Sequence, residues 1–132
     1  MRGQTITFVK EAISKFGPNN VIDVGALNVN GSIKELFEEK GISYAGIDMR
    51  KGEGVGLVLN AHDIKNKLKP ESYDMVCCFD TFEHDDKFWI TLENCKWLLK
   101  KGGYLLIGVP GRACSEHAHP SDYWRFMVEG VR

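Results

Sequence analysis

Apolar residues recur at Ile6, Val9, Ile13 and Phe16, with Lys10, Glu11 and Lys15 between them, the spacing of an amphipathic helix that ends at Gly17-Pro18. A β-branched run then predicts a buried strand over 21–24. Ile33, Leu36 and Phe37 form the inward face of a helix over about 32–40 that Gly41 closes, and a second strand follows over 43–48. Further strands are expected over 57–59, 73–79 and 104–109. Between the last two, a helix starting at Asp85 or Asp86 is expected to carry Phe88, Leu92, Cys95 and Leu99 and to end at Gly102-Gly103.

One connection breaks this alternation. Residues 49–56 include Gly52, Gly54, Val55 and Gly56, poor helix formers, and a βαβ crossover usually needs at least ~10 residues. The crossover helix between the second and third strands should therefore be missing or reduced to a turn. The pattern as a whole is that of an α/β fold, a mainly parallel sheet with helices on its faces.

At 132 residues the chain is expected to form a single domain, 1–132, large enough to bury roughly two-thirds of the surface its unfolded form exposes. With 17 basic and 18 acidic residues and a formal charge of -1, no global field favours nucleic acid or an anionic membrane. Lys65, Lys67 and Lys69 read as a solvated loop ahead of Pro70. The start of the chain has no apolar leader and no stretch approaches bilayer length, so a cytoplasmic address is expected. Cys77, Cys78, Cys95 and Cys114 form no C-x-x-C pair and read as reduced thiols.

The segment 21–32, Val-Ile-Asp-Val-Gly-Ala-Leu-Asn-Val-Asn-Gly-Ser, is the main chemical signal. Gly25 permits a sharp turn after the strand, Ser32 is placed to cap the next helix, and Asp48 at the tip of the second strand is placed to accept from both hydroxyls of a ribose. A dinucleotide turn needs G-x-G-x-x-G, but Leu27 and Asn30 stand at the second and third glycine positions, which weakens a pyrophosphate reading. Asp23 would repel phosphate and attract an ammonium group. S-adenosylmethionine offers an ammonium group, a ribose and an adenine without phosphate.

On these residues the chain resembles the class I S-adenosylmethionine-dependent methyltransferases, of the small-molecule type called the methyltransferase-11 group. Residues 21–31 resemble that family's glycine-rich motif, Asp48 its ribose-binding acid, and Ala61-His62-Asp63-Ile64 its adenine-contacting stretch. Residues 72–84 resemble its fourth strand with the Glu83-His84 ending, and 98–107 the Leu-Lys-x-Gly-Gly lead into strand five. The resemblance implies a Rossmann-like sheet of order 3-2-1-4-5 with ligand at the carboxyl ends of the strands, here lacking the usual strands 6 and 7. Residues 105–109 would then be an exposed apolar edge, expected either to self-associate or to belong to a short form of the family.

By the same resemblance Asp23, Gly25 and Ala26 belong near the methionine portion, Asp48 at the ribose, and Met49 and Arg50 beside the adenine. Asp63 is expected to accept the adenine N6 proton with Ala61, His62 and Ile64 around it, and Phe79, Asp80 and Thr81 to line the cofactor from strand four. His84 is the candidate general base, the alternative being a backbone hydrogen bond near the helix start. Cys114, His117 and His119 lack paired zinc spacing and read as a loop, so no metal is expected. Residues 117–126 resemble a segment closing the acceptor side, with Pro120 and Ser121 suited to a helix start and Tyr123, Trp124 and Phe126 supplying aromatic surface.

The expected activity is methyl transfer to a small-molecule or sugar-like acceptor. Two alternatives are a non-catalytic S-adenosylmethionine-binding module and an NAD-binding oxidoreductase. The second shares Asp48 but lacks both the glycine spacing and an evident Tyr-x-x-x-Lys pair.

Overall fold

The computed structural model of the chain describes residues 3–29, 31–111, 114–115 and 121–131. Its centre is one five-stranded sheet in which every neighbouring pair is parallel. The strands are β1 (Asn20–Val24), β2 (Ser43–Asp48), β3 (Leu57–Val58), β4 (Tyr73–Phe79) and β5 (Leu99–Gly108), in the order β3-β2-β1-β4-β5. The implied order 3-2-1-4-5 is therefore the observed one. Parallel neighbours need crossovers, and these run through α2 (Lys34–Glu38), through the short α3 (Ile64–Lys67) and through α4 (Phe88–Leu98). Ahead of the sheet lies α1 (Gly3–Phe16), and near the other end the single turn α5 (Val128–Val131).

Side chains alternate across β1, so the sheet has a core on each face. Val21 joins Val9 and Ile13 of α1, Ile33 and Phe37 from the α2 region, and Met75 and Cys77 of β4. On the opposite face Ile22 and Val24 pack with Ile47, Ile64, Val76, Cys78, Cys95 and Leu98. Each large side chain so enclosed contributes about 1.5–3 kcal/mol. At the amino ends of β1 and β4, Asn20 fixes the register. Its side-chain amide donates to the Ser72 carbonyl (2.9 Å) and accepts from Asp74 N–H (2.8 Å).

Residues 49–56 form no helix, as expected. The helix after β1 is shorter than the spacing suggested, and Ser32 Oγ accepts from Lys34 N–H at 3.1 Å. Gly41, at φ +71°, terminates it. The helix expected to reach Gly102-Gly103 stops at Leu98 instead. Leu99 pairs with Tyr73 as the start of β5, and a register irregularity separates that pair from Met75 and Tyr104. Gly102 at φ +81° and Gly103, where a Cβ would press on the Asp74 carbonyl, accommodate this bulge. The two glycines thus bend a strand and do not close a helix.

Leu105, Ile107 and Val109 are covered on one face, where Phe126 joins their cluster. Among the described residues no strand pairs with the outer edge of β5. Nor does Ser121 start a helix; residues 121–127 are extended or irregular because tertiary partners take their backbone groups. Pro120, His117, His119 and Asn30 lie outside the described residues. No helix among the described residues is long and apolar enough to cross a membrane.

Candidate functional site

Strand order reverses between β1 and β4, and a cleft of about 780 Å³ opens at the carboxyl ends of β1, β2 and β4. The turn after β1 forms its floor. Gly25 has φ +83°, and a Cβ at that position would collide with Thr81 Oγ1. Thr81 in turn donates to the Phe79 carbonyl at 3.0 Å, which locks the tip of β4 against that turn. The amides of Gly25 and Ala26 both donate to the Ile47 carbonyl at 2.9 Å and bring the turn beside β2.

Asp48 ends β2 and reaches across. Its Oδ2 accepts from Leu27 N–H (3.2 Å), its Oδ1 accepts from Arg50 N–H (2.9 Å), and the Arg50 guanidinium lies 3.5 Å from Oδ1. Each carboxylate oxygen has two lone pairs, so both keep an acceptor position for a ligand. Leu27, read from sequence only as a missing glycine, offers its amide to this acid.

The glycines of 52–56 have a role beyond discouraging a helix. They bring the second crossover directly onto the first turn. Asn28 N–H donates to the Glu53 carbonyl at 2.9 Å, and a Cβ at Gly54 (φ +87°) would press on the Ala26 carbonyl. A Cβ at Gly46 would strike the Gly54 carbonyl. The floor of the cleft is thus backbone stacked on backbone.

Asp23 lies below the Gly25 turn, 6% exposed, and lines the cleft. Tyr44 Oη donates to its Oδ2 at 2.6 Å. Burial pushes its pKa up to about 6 against the pull of that hydrogen bond, with the Asp48 charge adding to the rise.

On the far wall Asp80 adopts φ +50°, a conformation aspartate tolerates better than most side chains, and its N–H donates to the Gly108 carbonyl. A 3-10 turn at Phe82–His84 follows. His84 Nδ1 donates to the Ser121 carbonyl, which leaves the lone pair of the neutral ring on Nε2. Residues 121–126 cross this side as a strap. Tyr123 N–H donates to the Glu83 carbonyl (2.7 Å), the Trp124 indole to the Asp85 carbonyl (2.8 Å) and Phe126 N–H to the Pro110 carbonyl (3.0 Å). Arg125 holds Asp122 through two N–H groups (2.6 and 2.7 Å) and donates to the carbonyls of Cys114 and Ser115.

Of the expected site residues, Asp23, Gly25, Ala26, Asp48, Met49, Arg50, Ala61, His62, Phe79, Asp80, Thr81 and His84 line the one cleft. Asp63 and Ile64 do not. Ile64 is fully buried in the core under the sheet, and Asp63 is exposed, because the 3-10 turn Ala61–Asp63 presents Ala61 and His62 to the cleft and turns its third residue outward.

A family profile described as "Methyltransferase domain" matches residues 1–130. The chain belongs to this family. Sequence order, sheet order and the switch-point cleft agree with a class I methyltransferase domain. The family assignment also sets aside the nicotinamide dehydrogenase alternative. This methyltransferase domain is similar to the ubiquinone biosynthesis O-methyltransferases of Stutzerimonas stutzeri (27% identical over 122 residues, 81% of this chain and 50% of that protein) and Aliivibrio fischeri (25% over 120 residues, with the same shares). It spans about half the length of these curated relatives.

Among solved structures, its fold resembles the 1,6-didemethyltoxoflavin-N1-methyltransferase of Burkholderia thailandensis, which contains bound S-adenosylhomocysteine. The TM-score is 0.73 at 16% identity, over 98% of this chain and 62% of that one. A methyltransferase from Archaeoglobus fulgidus matches with a TM-score of 0.60 at 22% identity, over 80% of this chain and 53% of that one.

Several residues of the methyltransferase site were missing from the sequence reading. Asp85 lines the cleft and gathers three donors: His62 Nε2 (2.8 Å) and Lys87 N–H (3.0 Å) to Oδ1, and Thr91 Oγ1 (2.5 Å) to Oδ2. Asn94 donates to the carbonyls of Ala61 (2.8 Å) and His62 (3.2 Å). The expected Phe88, Leu92, Cys95 and Leu99 do pack on the core, but the buried residues of α4 are Thr91, Asn94, Cys95 and Leu98, two of them polar. Two polar residues on a helix face turned to the core are the signal that points to such a bolt, since buried polar groups need partners.

Proposed function

We propose that this domain binds S-adenosylmethionine in the cleft and transfers its methyl group to an oxygen of a small-molecule or sugar-like acceptor. The observation that carries the proposal is the pair of carboxylates, Asp23 and Asp48, opening into one cleft on either side of the Gly25 turn. The donor set fits the ligand: an acid with spare acceptor positions suits a ribose, and a buried acid suits an ammonium group. When bound, S-adenosylmethionine supplies a methyl group activated by a sulfonium.

Residues of this chain supply the rest. Met49 and Arg50 border the adenine side with Ala61 and His62. Phe79, Asp80 and Thr81 hold the opposite wall. His84, with Nδ1 committed to the Ser121 carbonyl, takes a proton from the acceptor hydroxyl at Nε2. Tyr123 and the strap exclude water from the acceptor, and positioning of this kind supplies much of the rate of an in-line displacement. An oxygen acceptor draws support from the curated relatives, whose names specify O-methylation. No nucleic acid or membrane partner is proposed, and three free buried thiols, Cys77, Cys78 and Cys95, suit a reducing, cytoplasmic setting.

The decisive experiment is titration calorimetry with S-adenosylhomocysteine on the wild type and Asp48→Ala. Removing hydrogen bonds to a charged group costs about 1.5–3 kcal/mol, so affinity should fall at least tenfold. Equal affinity in both proteins would overturn the assignment. A second reading is binding of S-adenosylmethionine without turnover. Release of S-adenosylhomocysteine in the presence of phenol and sugar acceptors separates the two.

The open edge of β5 supports one more proposal. A second copy pairs there and forms a homo-oligomer.

A further inference from the structure

Tyr44 packs its ring on the core and gives its hydroxyl to an acid that lines the cleft. Its ring packs on the α1/α2 face of the sheet, 6.3 Å from the Phe37 ring, and its Oη donates to Asp23 Oδ2 at 2.6 Å. Ser32 lies near Tyr44 and accepts from Lys34 N–H at the start of α2. Asp23 and Asp48 carry like charge in one cleft, so the charged form of Asp23 needs a donor such as Tyr44.

We propose that Tyr44 is a positioning residue that keeps the Asp23 carboxylate charged and directed into the cleft, and thereby sets the lower pH limit of cofactor binding. The inference rests on the reading that Asp23 receives the ammonium group of S-adenosylmethionine. The titratable groups facing Asp23 are Tyr44 and Asp48 from β2 and the Cys77 thiol from β4, while the Cys78 thiol lies on the opposite face of the sheet with Cys95. From α1 and α2 the neighbours on this face are apolar: Val9, Ala12, Ile13 and Phe37. Burial raises both thiols well above their ordinary range, with the Cys95 hydrogen bond the larger cause at Cys78, so neither carries charge near neutrality. Tyr44 is itself pushed upward by burial and by Asp23, which keeps it a donor at every working pH.

The test uses the whole chain as wild type, Tyr44→Phe and Ser32→Ala. Phenylalanine keeps the ring contact with Phe37 and removes only the hydroxyl. Carboxyl carbon NMR follows Asp23 in the free protein, with a midpoint expected near 6 in the wild type and about one unit higher in Tyr44→Phe. Calorimetry with S-adenosylhomocysteine should then show about fivefold weaker binding at pH 6 and affinities within about twofold at pH 8.5, where the acid is charged in both proteins. Ser32→Ala, beside Tyr44, should move the Asp23 midpoint the same way by less, and it keeps the test available if Tyr44→Phe fails to fold.

An Asp23 midpoint unchanged by either substitution would overturn the proposal. A midpoint that moves while wild-type binding stays flat between pH 5 and 8 would overturn the link to the ligand and leave the pairing intact. Absence of S-adenosylhomocysteine binding at every pH would remove the cofactor reading itself.

Discussion

A carboxylate held under a turn at 6% exposure works against folding. Asp23 in the folded chain keeps its proton up to about pH 6, whereas an unburied aspartate releases it near 3.8. Between those values the unfolded chain binds fewer protons, so stability falls as pH rises from about 4 through 6, and the full cost persists above that window. Asp23→Asn keeps an oxygen for Tyr44 and removes the charge. Its melting temperature at pH 7 should therefore exceed that of the wild type, by up to about 3 kcal/mol in stability, while S-adenosylhomocysteine affinity drops; calorimetric scans at pH 4 and 7 give the check, since the gain should vanish at the lower pH. Gly25→Ala is expected to do harm at any pH. Positive φ costs an alanine of order 1–3 kcal/mol, and the new methyl group displaces Thr81, so urea denaturation should show a lower midpoint. Both Gly25 and Asp48 were legible in the sequence, because a backbone demand and a strand-tip acid leave fixed marks. Tyr44 was not legible as a partner, since a tyrosine in a strand reads first as a packing residue.

The buried parallel strands were read at or near their bounds, whereas α2 is shorter than its spacing suggested and elements governed by tertiary bonds were misread. The expected bounds of β2 and β4 match the observed ones, since a buried parallel strand shows as an apolar run. The end of α4 and the strap were misread because Gly102-Gly103 serve a bulge and Ser121 spends its carbonyl on His84. The strap itself hangs on one guanidinium. Arg125 joins Asp122 to the carbonyls of Cys114 and Ser115 with a planar fork that lysine cannot reproduce. In Arg125→Lys the amide protons of Tyr123 and Phe126 should exchange at least tenfold faster by mass-spectrometric hydrogen exchange, with the sheet amides unchanged; equal rates would show that the aromatic contacts of Trp124 and Phe126 with Phe88 suffice.

For the whole molecule, alternation of patterns was enough to give the parallel sheet, and the family resemblance supplied its order. The edge was harder to judge. β5 is ten residues long, its Leu105, Ile107 and Val109 are covered on one face, and its backbone groups on the outer side have no strand partner among the described residues. Edge-to-edge pairing predicts a mass that rises with concentration in light scattering, and Leu105→Pro, which removes a donor from the strand, should shift the balance toward the monomer. A concentration-independent monomer would sink the proposed pairing.

The central strand also has an awkward place in time. Val21 of β1 lies beside Met75 of β4, more than fifty residues downstream. As the polypeptide leaves the ribosome, β1 emerges with one flank open and remains so until β4 is made, for several seconds at ordinary elongation rates of about 5–20 residues per second. Nascent chains arrested just before residue 73 should accordingly be the ones that chaperones retain.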